Sequence, residues 1–196
     1  MLQELKIPTM NTMNDDEFLV FCEANRRSGM HFERDKKGRI IFMSPTGSIG
    51  GHNDGEIFVE IKLWNRRHGL GFVFPSSTGF VLPNTAIKSP DVAWISRERW
   101  AQVPPELRKK FAPICPDFVI EVKSESDTWA EHEEKMCEYI NNGCRLGWLL
   151  DPAERVYSIF EPHNLQPEKQ PFGIISGGNV LEGLEIDLRT VFEDIG

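Results

Sequence analysis

Residues 116–151 constrain the fold more than any other part of this chain. "PDFVIEVKS" is a short β-rich run, "TWAEHEEKMCEYINNG" is helical, and "RLGWLLDP" is again β-rich. In the helical stretch Trp129, Met136, Tyr139 and Ile140 form an apolar stripe, Thr128 can cap the start, and Gly143 can end it. Two strands joined through a helix of this length cannot form a hairpin. They require a crossover, which places them parallel and lays the helix on the sheet. The chain is therefore expected to build an α/β layer structure around this unit.

The first strand of the unit carries charges. Side chains alternate across a strand, so Phe118, Ile120 and Val122 share one apolar face, while Asp117, Val119, Glu121 and Lys123 share the other. Burying a charge is unfavourable by several kcal/mol unless it is paired, ligated or close to water. Glu121 and Lys123, roughly 6–7 Å apart along the strand, thus read either as a pair at a strand end or as one side of a polar site. A second acid gives the site reading weight. "SPDVAWIS" places Asp91 at the start of another apolar strand, behind a proline that limits where the strand begins. Asp117 also follows a proline. It lies about 13 Å of extended chain from Glu121, too far to share an ion with it, and is expected to be structural.

The remaining chain fits a mixed sheet. "NDDEFLVFCEANRRSG" is a helix, with Asn14 as cap and acids in its first turn. "MHFERDKKGRIIFMSP" is a hairpin about the turn "DKKG". "GHNDGEIFVEIKLWNRRHG" spaces Ile57, Ile61 and Trp64 as a second helix, with "TGSIGG" read as the loop leading into it. "GFVFPSS", "TGFVLPN" and "SPDVAWIS" are strands, and "RERWAQVPPELRKKFAPIC" is irregular with a helical turn or two. "VYSIFEP" is a strand, and "NVLEGLEIDLRTVF" closes with a strand and a short helix. The expectation is one domain over residues 1–196, with its core at about 14–192.

Composition excludes several classes. Hydrophobic residues make up 40% and charged residues 27%, as in an ordinary globular protein. No apolar run is long enough to span a membrane and the N-terminus lacks a secretory signal, so a cytoplasmic location without membrane contact is expected. Cys22, Cys115, Cys137 and Cys144 are scattered without metal-ligand spacing and read as free thiols. No P-loop, GxGxxG turn or HExxH helix occurs. The net charge of −8 argues against bulk electrostatic coating of nucleic acid. It leaves room for local basic patches at Arg26–Arg27, "RDKKGR", "RRH" and "RKK".

Asp91, Glu121 and Lys123 form the set that metal-dependent phosphodiester cleavage uses. Two carboxylates bind a hard cation through oxygen, and a lysine orients water or stabilises developing charge. At these residues, "PD" at 90–91 and "EVK" at 121–123, the chain resembles the PD-(D/E)XK nuclease superfamily. Over residues 14–192 its succession of motifs ("FERDKKGRIIFMSP", "PDVAWIS", "PDFVIEVKSESD", "EKMCEYINNGCRLGWLLDP", "VYSIFEP") resembles the Uma-type restriction endonuclease family, formerly a domain of unknown function.

The resemblance implies a restriction-endonuclease-like mixed sheet flanked by helices and Mg²⁺-dependent cleavage of nucleic acid, DNA first, with Mn²⁺ as a substitute. It implies Asp91 and Glu121 as metal ligands and Lys123 as the catalytic lysine. Lys135, on the following helix, matches the position used where the strand lysine is missing; the other reading pairs it with Glu131 one turn earlier. Glu33 and His52 also match family positions, Glu33 as a further acid and His52 as a contact to phosphate or a second metal. A homodimer is expected by analogy with other nucleases of this scaffold. Two other readings compete: a non-catalytic nucleic-acid-binding or interaction module on the same fold, and a metal-dependent hydrolase of another phosphate ester.

Overall fold

The computed structural model describes residues 12–125 and 127–193. In chain order the elements are α1 (Asp15–Asn25), β1 (His31–Arg34), β2 (Ile40–Met43), α2 (Ser48–His68), β3 (Gly71–Pro75), β4 (Phe80–Val81), β5 (Ile87–Lys88) and β6 (Val92–Ser96). After α3 (Arg97–Gln102) and a 3₁₀ turn at Leu107–Lys109 come β7 (Phe118–Val122), α4 (Trp129–Asn141), β8 (Leu146–Asp151) and β9 (Val156–Phe160). The chain closes with β10 (Gln170–Pro171), β11 (Ile174–Ser176), β12 (Glu185–Asp187) and α5 (Leu188–Val191).

Among the described residues the strands form three sheets. The central sheet has the order β10-β9-β8-β7-β6-β3, a second has the order β2-β1-β5-β4, and β11 pairs with β12. β7 and β8 run parallel and in register from Phe118 opposite Leu146 to Val122 opposite Leu150, as the crossover demands. The other pairings in the central sheet are antiparallel.

Alternation along β7 sets the layers. Phe118 and Ile120 pack with Ile57, Ile61 and Trp64 of α2, while Val119 packs with Met136, Tyr139 and Ile140 of α4. Both faces of the central sheet are thus covered. Each fully buried large apolar side chain there contributes about 1.5–3 kcal/mol of transfer free energy. The second sheet rests on α1 through Phe18, Phe21 and Ile87. Arg34, buried at 2% exposure, pins β1 by donating to the Met13 and Thr85 carbonyls and pairing with Asp15.

Local signals behave as chemistry requires. Asn14 with Glu17, and Thr128 with Glu131, each form a reciprocal capping box. One local reading changes, and one short strand is new. The "TGSIGG" loop is shorter than expected, because α2 begins at Ser48 and takes in Gly50 and Gly51. A side chain at Gly50 would run into the Thr46 hydroxyl, so glycine lets the incoming chain fold back tightly on the first turn. β5 is two residues long, too short for any periodicity, yet it joins β4 to the hairpin.

Candidate active site

β6 and β7 are antiparallel neighbours, with Val92 opposite Ile120, so the start of β6 lies beside the end of β7. This brings Asp91 to Glu121 across thirty residues of sequence. One Asp91 oxygen accepts the Val122 backbone N–H at 2.7 Å. Glu121, only 2% exposed, accepts the Tyr139 hydroxyl at 3.1 Å. Lys135 Nζ lies 3.0 Å from each Glu121 oxygen and 3.1 Å from Glu33 Oε1. The pairing with Glu131 is therefore replaced: Glu131 serves the Thr128 cap, and the Lys135 stem carries its ammonium inward to the sheet.

Glu33, on β1, comes from the second sheet. It also meets Lys88 at 3.2 Å and the Ser89 N–H at 2.9 Å, and Lys88 reaches on to Glu138 of α4 at 3.4 Å. One buried ionic network thus ties the hairpin, β5, β7 and α4 together. Lys123 lies just past the end of β7, and there its side chain leaves the Glu121 direction. Its backbone N–H still donates to Leu150, but Nζ pairs with Asp151 at 3.2 Å. His52 is exposed on the first turns of α2 and is not among the residues lining the cleft described below. Asp117, fully buried at the far end of β7, holds Arg99 at 3.0 Å and accepts the Ser96 N–H at 2.9 Å, a structural anchor.

Two residues that sequence reasoning missed belong to the same region. Asp54, nearly two turns into α2, reads locally as a helix-dipole acid, yet it faces Asp91 and Glu121 closely enough to repel both. His132, one turn before Lys135, holds Asp127 at 3.3 Å through Nε2 and sets Nδ1 3.8 Å from Glu121. Its spacing of three from Lys135 is the only local signal that the two share a helix face.

The electrostatics are uneven. Burial, then the charge of Glu121, pushes the Asp54 carboxyl up to about 6. Burial, Glu121 and Asp54 together hold the Asp91 carboxyl well above its ordinary value. Burial alone would raise Glu33, but Lys135, Lys88 and the Ser89 N–H hold it below the usual carboxylate range. Burial would likewise lower Lys135, yet the carboxylates of Glu121, Glu33 and Asp91 outweigh it and keep the ammonium charged. Tyr139 is pushed up by burial and by Glu121, so it remains a hydroxyl donor.

Three carboxylates, Glu33, Glu121 and Glu138, share the ammonium groups of Lys135 and Lys88. No three His, Cys, Asp or Glu side chains among the described residues are drawn into a ready cage. Asp54, Asp91 and Glu121 nonetheless present only oxygen donors, the kind a hard divalent cation takes, with Lys135 as the cation already beside Glu121. The site opens into a cleft of about 2250 Å³ between the β1–β2 hairpin, the first turns of α2, and α4. Of the four basic runs, only that of the hairpin turn, through Lys36, Lys37 and Arg39, lines this cleft.

Among the described residues no helix is long and apolar enough to cross a membrane. Comparison with known proteins finds no match among curated ones. Among solved structures, the crystal structure of a putative nuclease belonging to DUF820 from Anabaena variabilis ATCC 29413 aligns with a TM-score of 0.73 at 20% identity, covering 92% of this chain and 97% of that one. At that identity the likeness speaks for the fold, a mixed α/β architecture flanked by helices. The family model Uma2, described as "Putative restriction endonuclease", matches residues 15–189. That span takes in every element from α1 to the start of α5, and the chain belongs to the Uma2 family.

Proposed function

We propose that this protein is a metal-dependent endonuclease hydrolysing phosphodiester bonds of nucleic acid, DNA in the first place, through Asp91, Glu121 and a lysine. The observation that carries the reading is the meeting of Asp91, Glu121 and the Lys135 ammonium, from two adjacent strands and a helix, at the floor of one open cleft. Asp91 and Glu121, with Asp54 beside them, would hold a Mg²⁺ or Mn²⁺ ion. Such a cation, when bound, neutralises the scissile phosphate and supplies a water of lowered pKa.

The protein's own groups do the rest. The Val122 N–H fixes one oxygen of Asp91, and the Tyr139 hydroxyl orients Glu121. Lys135, held charged by its carboxylates, is placed to meet a phosphate oxygen or to orient the attacking water. The strand lysine, Lys123, matches the superfamily pattern. Its engagement with Asp151 leads us to assign the catalytic role to Lys135 instead.

Cleavage of a supercoiled plasmid and of end-labelled oligonucleotides, with Mg²⁺, Mn²⁺ or EDTA, tests this. Asp91→Asn, Glu121→Gln and Lys135→Ala are each expected to lower the rate by roughly 10²–10³-fold, and Lys123→Ala by less than about 10-fold. Wild-type protein that binds DNA but cuts nothing with either metal would return the binding-module reading. Variants that cut as fast as wild type would remove these residues from the chemistry.

A further inference from the structure

The cleft that holds the site has walls of opposite charge. On one side the hairpin turn presents Lys36, Lys37 and Arg39, all exposed, in a chain whose net charge is −8. The turn is stiff. Asp35 accepts the backbone N–H groups of Lys37 and Arg39 at 2.8 and 2.9 Å, and the Gly38 carbonyl accepts the Met13 N–H at 2.8 Å. From this tip the hairpin leads straight to the site, because Glu33 sits opposite Ile41 in the β1–β2 register. Ile41 is 37% exposed, and Ile49, on the first turn of α2 and lining the same cleft, is 51% exposed.

On the other side, α4 and the loop before it present Glu125, Glu131 and Glu134, all exposed. The one lysine of α4 is drawn down into the site. The two walls meet at the floor, where Glu33 of the hairpin binds Lys135 of α4.

A duplex carries phosphates on both sides and would press one backbone against the acidic wall. A single strand can keep its phosphates on the lysines of the turn while its bases lie against the apolar surface of Ile41 and Ile49. We propose that the substrate is nucleic acid with an unpaired strand, which runs along the β1–β2 hairpin with its phosphates on Lys36 and Lys37, Arg39 being held by Asp35 at 2.6 Å. The proposal rests on the nuclease reading of the site and names the substrate form that reading leaves open.

Binding of a 5′-labelled 20-nucleotide single strand and of the duplex of the same sequence, followed by fluorescence anisotropy with wild-type protein in EDTA, separates the possibilities. The single strand is expected to bind at least 10-fold more tightly than the duplex. The exposed double variant Lys36→Glu/Lys37→Glu, checked by circular dichroism, should weaken single-strand binding about 10-fold and flatten its log–log salt dependence by about 1.4. Glu125→Lys/Glu134→Lys should narrow the gap between the two ligands by favouring the duplex. Equal affinity for both, binding unchanged by the lysine reversal, a gap unmoved by the glutamate reversal, or no binding at all would each overturn the proposal. The binding arm involves no turnover and the Asp91→Asn cleavage assay no choice of strand form. A true nuclease that prefers duplex therefore defeats this proposal alone, whereas a protein that grips single strands but never cuts defeats the other.

Discussion

Asp54 shows how a single side chain can be ill at ease in its own fold. Its carboxyl is raised to about 6 by burial and by Glu121, above the ordinary aspartate value. A group whose folded pKa is raised contributes its full share below the unfolded pKa and loses it as pH rises through the folded one. The metal-free protein therefore carries a penalty at Asp54 that grows between about pH 4 and pH 6. Asp54→Asn should raise the melting temperature of the metal-free protein by ~3 °C at pH 7.5 and leave it unchanged at pH 4. Scanning calorimetry at the two pH values decides it, and equal melting at pH 7.5 would show that neither burial nor Glu121 disfavours the Asp54 carboxylate. Nothing in "GHNDGEIF" announces this, since an acid in the first turns of a helix is explained by the dipole alone. Only the docking of α2 against β7 turns it towards the site. The same limit applied to Lys135. Its near neighbour Glu131 is the partner that helix geometry suggests, whereas its actual partners lie 14 and 102 positions away.

Elements were legible where local chemistry decides them. The hairpin turn at Asp35–Gly38, the caps at Asn14 and Thr128 and the parallel pairing of β7 with β8 all follow from residues within a few positions of one another, or from chain connectivity. β5 and the first turn of α2 were not legible, because a two-residue strand has no period and glycine near a helix start reads as loop. α4 matters most, since it carries His132, Lys135 and Tyr139 on successive turns. Its start depends on Thr128, whose hydroxyl caps the Glu131 N–H while the Glu131 carboxylate returns to Thr128. Thr128→Ala should cost about 1 kcal/mol and lower the melting temperature by ~2–4 °C. Amide exchange should quicken at Trp129–Glu131, ahead of the rest of the helix. Unchanged exchange there would mean that packing of Met136 and Tyr139, rather than the cap, holds the first turn.

At the scale of the whole molecule, the central sheet supplies rigidity and the second sheet supplies one wall of the cleft. They are joined at the site by the bridge from Glu33 through Lys135 to Glu121. A divalent cation that binds only the folded chain stabilises it by mass action, about 2.7 kcal/mol at a hundredfold excess over Kd. Mn²⁺ is therefore expected to raise the melting temperature by several degrees at pH 7.5, and Asp91→Asn should abolish the rise. A rise of equal size in Asp91→Asn would place the cation elsewhere.

Glu33, Glu121 and Lys135 lie on three separate elements and Asp91 just ahead of a fourth, spread over more than a hundred positions, and Lys135 follows the strand that holds Glu121. Contacts of such long range form late, after the loops between them have closed. During synthesis, a nascent chain ending before α4 lacks Lys135 and the parallel partner of β7 altogether. That grouping thus exists only once α4 has been made, and under the function proposed above a chain stopped short of it would hold no complete site.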